Sequence, residues 1–211
     1  MAPTKLPPPT RCAVLTMELQ RGVVGELATM PQLAEACAKT GVLQACGDLA
    51  STARLHQVPV VHCVASWRAD RRGTALNSPL SAALSRNPEQ ILEGTEAVEL
   101  VAELGDTSGD LHSGRHHGLT PFTGTDLDPL LRTLGVDHVV VCGVSLNVGV
   151  LGLCLSAVDL GYYVTVCTDA VVGVPVSYGE DVIKNTLAML ATLTTTTDLA
   201  DHWRASTNSG D

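Results

Sequence analysis

Glu18 stands directly behind an apolar run, Cys12–Met17 (CAVLTM), and is the first residue whose placement invites a chemical reading. A carboxyl group at the end of a buried strand costs desolvation energy unless a partner offsets it. Two readings fit that position, a structural salt bridge and a proton-transfer group. The adjacent pair His116 and His117, in Arg115-His116-His117-Gly118-Leu119-Thr120-Pro121-Phe122, offers imidazoles that can donate or accept a proton near neutral pH. Neighbouring side chains of an extended segment point opposite ways, so one of the two histidines faces a given site and the spacing leaves open which. Arg68 and Arg72 lie in a polar stretch after a second apolar run. Their planar guanidinium forks suit a carboxylate or phosphate, with a solvated loop as the alternative. Gly143-Val144-Ser145-Leu146-Asn147-Val148-Gly149 is rich in small residues and leads from a strand into a helix. Backbone N–H groups at such a turn can face developing negative charge, with Ser145 and Asn147 placed to orient a ligand.

The elements that must carry these residues alternate. Short β-branched runs read as strands at Cys12–Met17, Val58–Val64, Asp110–Ser113, His138–Val144, Tyr163–Thr168 and Thr194–Thr197. Between them, helical patterns cover Pro31–His56 with a break near Gly41, Asp126–Leu134, Asn147–Leu160 and Ser177–Leu193. Pro79–Leu84 and Ala97–Leu100 are weaker helical or loop segments. Unbroken Val-rich strands alternating with helices predict a mostly parallel sheet covered on both faces. Ligands of such sheets bind beyond the carboxyl ends of the strands, which is where Glu18, Arg68, Arg72, His116, His117 and Ser145 fall.

Composition narrows the function classes. The chain has 211 residues, 45% hydrophobic and 17% charged, which suits one large α/β domain. One Phe, two Trp and three Tyr leave the core to Val, Leu and Ala. A net charge of −9, with no basic run beyond Arg71-Arg72, argues against a nucleic-acid or anionic-membrane surface. The seven cysteines show no Cys-x-x-Cys spacing and read as small buried thiols of a reducing, cytoplasmic compartment. Neither a metal nor a cofactor is implied. Residues 1–11 (MAPTKLPPPTR) lack an apolar signal core and read as a flexible N-terminal arm. Residues 12–204 form the domain, and 205–211 a flexible tail.

The stretch Leu119–Gly173 adds a resemblance. Thr125-Asp126-Leu127, Leu134-Gly135-Val136, Gly143-Val144, Gly161-Tyr162 and Asp169-Ala170 match the pattern of the isochorismatase-like superfamily, also called cysteine hydrolases. The resemblance runs from about Cys12 to Leu199 and implies a Rossmann-type three-layer α/β sandwich. It also implies a small-molecule substrate, a homo-oligomer (dimer or tetramer) and a cis peptide mapping to Val144-Ser145.

That family's triad is an aspartate after the first strand, a lysine six residues before a conserved-pattern phenylalanine, and a cysteine opening the helix after the fourth strand. Here those positions hold Glu18, His116 (counted back from Phe122, with His117 one step off) and Gly149. Thioester chemistry needs a thiolate, which glycine cannot supply. Isochorismatases proper resemble this chain in carrying glycine there; they hydrolyse a vinyl ether without a covalent intermediate, and keep the aspartate and lysine. The expectation is therefore a hydrolase using Glu18 and a histidine in general acid–base chemistry. Arg68 or Arg72 would hold a substrate carboxylate, with Phe122, Ser145, Asn147 and Gly149 at the binding site. A catalytically inactive binding or assembly protein on the same fold is the alternative.

Overall fold

The computed structural model describes residues 5–208, with side chains through residue 206; the outer parts of the expected arm and tail, 1–4 and 209–211, lie outside the described residues. Six strands form one sheet: β1 (Cys12–Met17), β2 (Val60–Ala65), β3 (Leu111–Arg115), β4 (His138–Gly143), β5 (Tyr163–Val171) and β6 (Thr192–Thr194). Their order is β3-β2-β1-β4-β5-β6, every neighbouring pair parallel. This is the doubly wound α/β sandwich expected, in which β1 and β4 flank the point where the strand order reverses and a crevice opens.

Every residue of β1 and of β4 is buried, because both faces of the sheet are covered. Alternate residues of β1 feed two separate cores. Cys12 and Val14 pack with α1 (Pro31–Thr40), α2 (Val42–Leu55) and α8 (Thr196–Asn208) through Leu33, Leu49 and Trp203. Ala13, Leu15 and Met17 pack on the other side with Leu131 of α4 (Leu127–Thr133), Leu153 of α5 (Leu151–Asp159) and Val182 of α6 (Val176–Val182). Each fully buried Leu or Val contributes about 1.5–3 kcal/mol, so the two cores hold the sheet rigid under the site.

Local chemistry sets the boundaries. Pro31 opens α1, and Gly41 closes it in a left-handed conformation (φ 71°), its N–H donating to Cys37 O at 3.0 Å. Ser78 caps the short helix α3 (Pro79–Leu84) through a reciprocal bond with Ser81.

Three elements differ from the expectation. The helix expected over Ser177–Leu193 is α6, a wide turn at Ile183–Leu187, and the short α7 (Ala188–Leu190). The last strand is Thr192–Thr194 rather than Thr194–Thr197, because Thr196 opens α8, which hydropathy alone passes over. Trp203 of that helix is fully buried and donates to Pro7 O at 3.0 Å, so the described end of the N-terminal segment is pinned to it. No helix among the described residues is long and apolar enough to cross a membrane.

Candidate active site

At the carboxyl edge of the sheet, beside the β1/β4 crevice, Glu18 takes a left-handed backbone conformation (φ 53°), unusual for a residue with a side chain and costing on the order of 1 kcal/mol. Its N–H donates to Cys63 O at 2.9 Å. Gln20, fully buried, locks the turn: its amide nitrogen donates to Ala65 O (2.9 Å) and Val98 O (3.2 Å), and its oxygen accepts from Ala65 N (2.8 Å). The end of β1 is thereby fastened to the end of β2.

The partner of Glu18 is Arg115, the last residue of β3, which stands opposite Ala65 in the sheet register. Its Nη2 donates to Glu18 Oε1, and its Nε reaches Gly118 O at 3.5 Å. The Arg115 side chain is 5% exposed and that of Glu18 is 20% exposed. Arg115 Nη1 is buried with no protein acceptor among the described residues. A buried donor left unpaired costs about 1–3 kcal/mol, a cost that an anionic or carbonyl-bearing ligand would remove.

Two cavities meet at Glu18. The first, about 100 Å³, is lined by Arg115, His117, Ser78, Ser145 and Gly149. The second, about 180 Å³, is lined by Gln90, Asn147, Ser145 and mostly aliphatic side chains including Val23, Leu33 and Val174. Ser145, Val148, Leu80, Leu84 and Ile91 border both. The Val144–Ser145 peptide is cis, at the position the resemblance indicated.

The other residues singled out in the sequence separate into those at this cleft and those away from it. Glu18 and His117 border the same cavity, His117 with its ring packed over Gly124, where an added Cβ would lie 2.9 Å from His117 Cε1. His116 is instead exposed, its Nδ1 near Ser66 O (3.2 Å) and Ser66 Oγ (3.3 Å), and it borders neither cavity. The reason is parity: Ser113 and Arg115 are the buried residues of β3, so the next residue on that face is His117. The cationic partner that the resemblance put at His116 is therefore Arg115, one residue earlier.

Arg68 is exposed and pairs with Asp70 at 2.9 Å, and Arg72 is exposed as well; neither borders the cleft. Arg71 between them folds back over Trp67 (4.3 Å to the ring centroid) and donates to Asn87 O and Pro88 O, which turns its neighbours outward. Phe122 belongs to the core, its ring 5.8 Å from that of Tyr162, and not to the binding surface. Arg115 and Gln90 are among the cleft residues that sequence reasoning passed over. The signal for Arg115 was available in the alternation of Leu111-His112-Ser113-Gly114-Arg115; Gln90 sits in a loop with no periodicity to mark it.

At Gly149, the residue onto which the resemblance maps the family's cysteine, the space beside the backbone is filled. A Cβ there would lie 2.9 Å from Met17 Cε and 3.1 Å from Val144 O. All seven cysteines are buried and none borders either cavity. Burial pushes the thiols of Cys63 and Cys154 up to about 12, the opposite of what activates a thiol. The residue types present at the cleft can exchange protons and bind an anion, but cannot form a thioester.

Comparison with known proteins gives a consistent picture. Residues 12–198 match the family model described as the isochorismatase domain. The chain is 32% identical over 159 residues to an uncharacterized isochorismatase family protein, YecD, of Escherichia coli O157:H7, covering 75% of this chain and 78% of that one. Among solved structures it superposes on a cysteine hydrolase from Pseudomonas syringae pv. phaseolicola with TM-score 0.80, at 21% identity, over 96% of each chain. An isochorismatase family protein from Desulfovibrio vulgaris superposes with TM-score 0.76 at 27% identity, over 92% of this chain and 98% of that one.

Proposed function

Because this chain belongs to the isochorismatase family, we propose that it is a hydrolase of a small carboxylated metabolite that works by proton transfer through Glu18, without a covalent enzyme intermediate. One observation carries the reading: the Glu18–Arg115 pair opens onto two joined cavities while glycine stands at residue 149. One oxygen of Glu18 is held by Arg115, leaving the other to exchange a proton with substrate or water. Arg115, on the cavity wall and with Nη1 unpaired among the described residues, is the guanidinium suited to a substrate carboxylate, the role expected of Arg68 or Arg72. His117, on the same cavity, is the second acid–base group.

Vinyl-ether hydrolysis fits this set. Glu18 gives a proton to the terminal carbon of the enol ether, and water adds to the oxocarbenium carbon, returning a proton to Glu18. The resulting hemiketal then collapses to a ketone and an alcohol. General acid–base assistance of this kind is worth roughly 10²–10⁴ in rate.

The second reading, a binding protein without turnover, draws on the directness of the Glu18–Arg115 contact, since each satisfies part of the other. Incubation with isochorismate, with pyruvate release as the readout, separates the two. Turnover that falls by about 10²–10⁴ in Glu18→Gln supports the hydrolase reading. Turnover unchanged in that variant removes Glu18 from the mechanism, and tight binding without release favours the second reading.

A further inference from the structure

The two joined cavities differ in the character of their walls. The smaller one carries Arg115 and His117. The larger one is bordered by Val23, Leu33, Leu80, Leu84, Val148 and Val174. Leu33 is buried, but the other five are only partly buried. A single exposed aliphatic side chain means little, whereas several converging on one hollow mark a place for an apolar ligand.

The polar residues of the larger chamber add little to its surface. Asn147 is turned away: its Nδ2 donates to Val174 O at 3.4 Å, and its Oδ1 packs on Gly173, where an added Cβ would lie 2.5 Å from it. Gln90 is 4% exposed. Glu18 and Ser145 stand at the junction and border both cavities. A polar chamber and an aliphatic one therefore meet at the carboxyl group read above as the proton donor. Volume limits what the second can take. About 180 Å³ compares with the ~150 Å³ in which an enclosed apolar site holds benzene, which is room for about six carbons and too little for a helix of another chain.

We infer that the larger chamber seats an unreacting alkyl or alicyclic group of about six carbons, which makes the substrate class a small carboxylate with an apolar tail. The inference rests on the reading of Glu18 and Arg115 as the reaction centre, and extends it to the part of the substrate that does not react. Moving a methylene from water into such a hollow is worth about fourfold in affinity. Val23 borders the larger chamber and not the smaller, so it sets how much tail fits without touching the polar side.

The test reads binding, so it answers whether or not the protein turns anything over. Straight-chain carboxylates from butanoate to decanoate, and 1-alkanols from butanol to octanol, are titrated by NMR against the full chain. Affinity is expected to rise about fourfold per carbon in both series and to level off once about six carbons are housed. In Val23→Phe, which fills part of the chamber, octanoate should bind about tenfold more weakly and butanoate as before. If that variant does not fold, Val23→Thr serves in its place. It is close in shape and puts on the wall a hydroxyl that an alkyl chain must desolvate, so octanoate should weaken about threefold while butanoate does not. No rise with chain length in either series, a rise that runs undiminished to decanoate, or a profile unchanged in the folded Val23 variant overturns the inference. A rise in the alkanols alone supports the chamber and rejects Arg115 as the seat of a carboxylate. Loss of turnover in Glu18→Gln with no dependence on chain length rejects this inference alone; a dependence on chain length with no turnover rejects the hydrolase reading alone.

Discussion

Two acid–arginine clusters stand at opposite ends of β3, built from similar residues and paired to different degrees. At the carboxyl edge, Glu18 and Arg115 border a cleft, and one guanidinium nitrogen has no partner among the described residues. Beneath the other face, Arg54 grips both oxygens of Asp110 (2.6 and 3.1 Å) and donates to Leu104 O. His62 Nε2 lies 2.9 Å from Asp110 Oδ2, and Thr16 Oγ1 lies 2.7 Å from His62 Nδ1. A carboxylate only accepts, so Nε2 carries the proton; in the neutral ring that burial favours, Nδ1 then accepts from the Thr16 hydroxyl. Burial is the main cause holding His62 below its usual range. For Asp110, burial alone would raise the carboxyl, but hydrogen bonds from Arg54 and His62 outweigh it and hold it low. The lesson is that residue type does not separate a reactive cluster from a structural one; completeness of pairing does.

The largest expected effect breaks the fully paired cluster. Asp110→Asn removes the charge that Arg54 and His62 are built around and should cost about 3–5 kcal/mol in urea unfolding. A loss below about 1 kcal/mol would mean the cluster is not structural.

Next comes the acid limb of stability, where buried histidines speak for the interior. His138, bonded to Thr165 Oγ1 at 2.8 Å, is lowered from 6.5 to about 4, mainly by burial. The folded state thus favours neutral imidazole. Its contribution is fully present above about pH 6.5, is lost as pH falls from there to about 4, and amounts to at most about 3 kcal/mol. His62 acts with the same sign. Unfolding free energies measured across that window should decline toward acid, and His138→Gln should flatten the decline; an unchanged slope would exclude His138 as a source.

The smallest effect sits at the open cluster. Glu18→Gln keeps an acceptor for Arg115 and should cost only about 1 kcal/mol of stability, read from the same urea titrations, while turnover collapses. A stability loss as large as that of Asp110→Asn would make the two clusters alike and end the distinction.

How much of this was legible beforehand follows the same divide. β1 and the paired helices around Gly41 follow from apolar runs and one glycine, because burial on both faces writes itself into composition. Glu18 was visible because an acid behind such a run is costly. Its partner was not, since a six-residue count back from Phe122 fell on His116, and only strand parity distinguishes Arg115 and His117 from it. Arg68 and Arg72 read as ligands by type alone; what decides against them is Arg71 folding inward between them, a tertiary event with no local signature. α8 escaped because its polar face dominates its composition, although Trp203 anchors it.

Met17 filling the seat beside Gly149 has a practical corollary. Alkylating agents poison thiol-dependent hydrolases by capping an exposed sulfhydryl; in this cleft they would meet a glycine backed by a buried thioether, with every cysteine walled off behind the strands and helices. A mixed population of related hydrolases treated with such a reagent would leave this one standing.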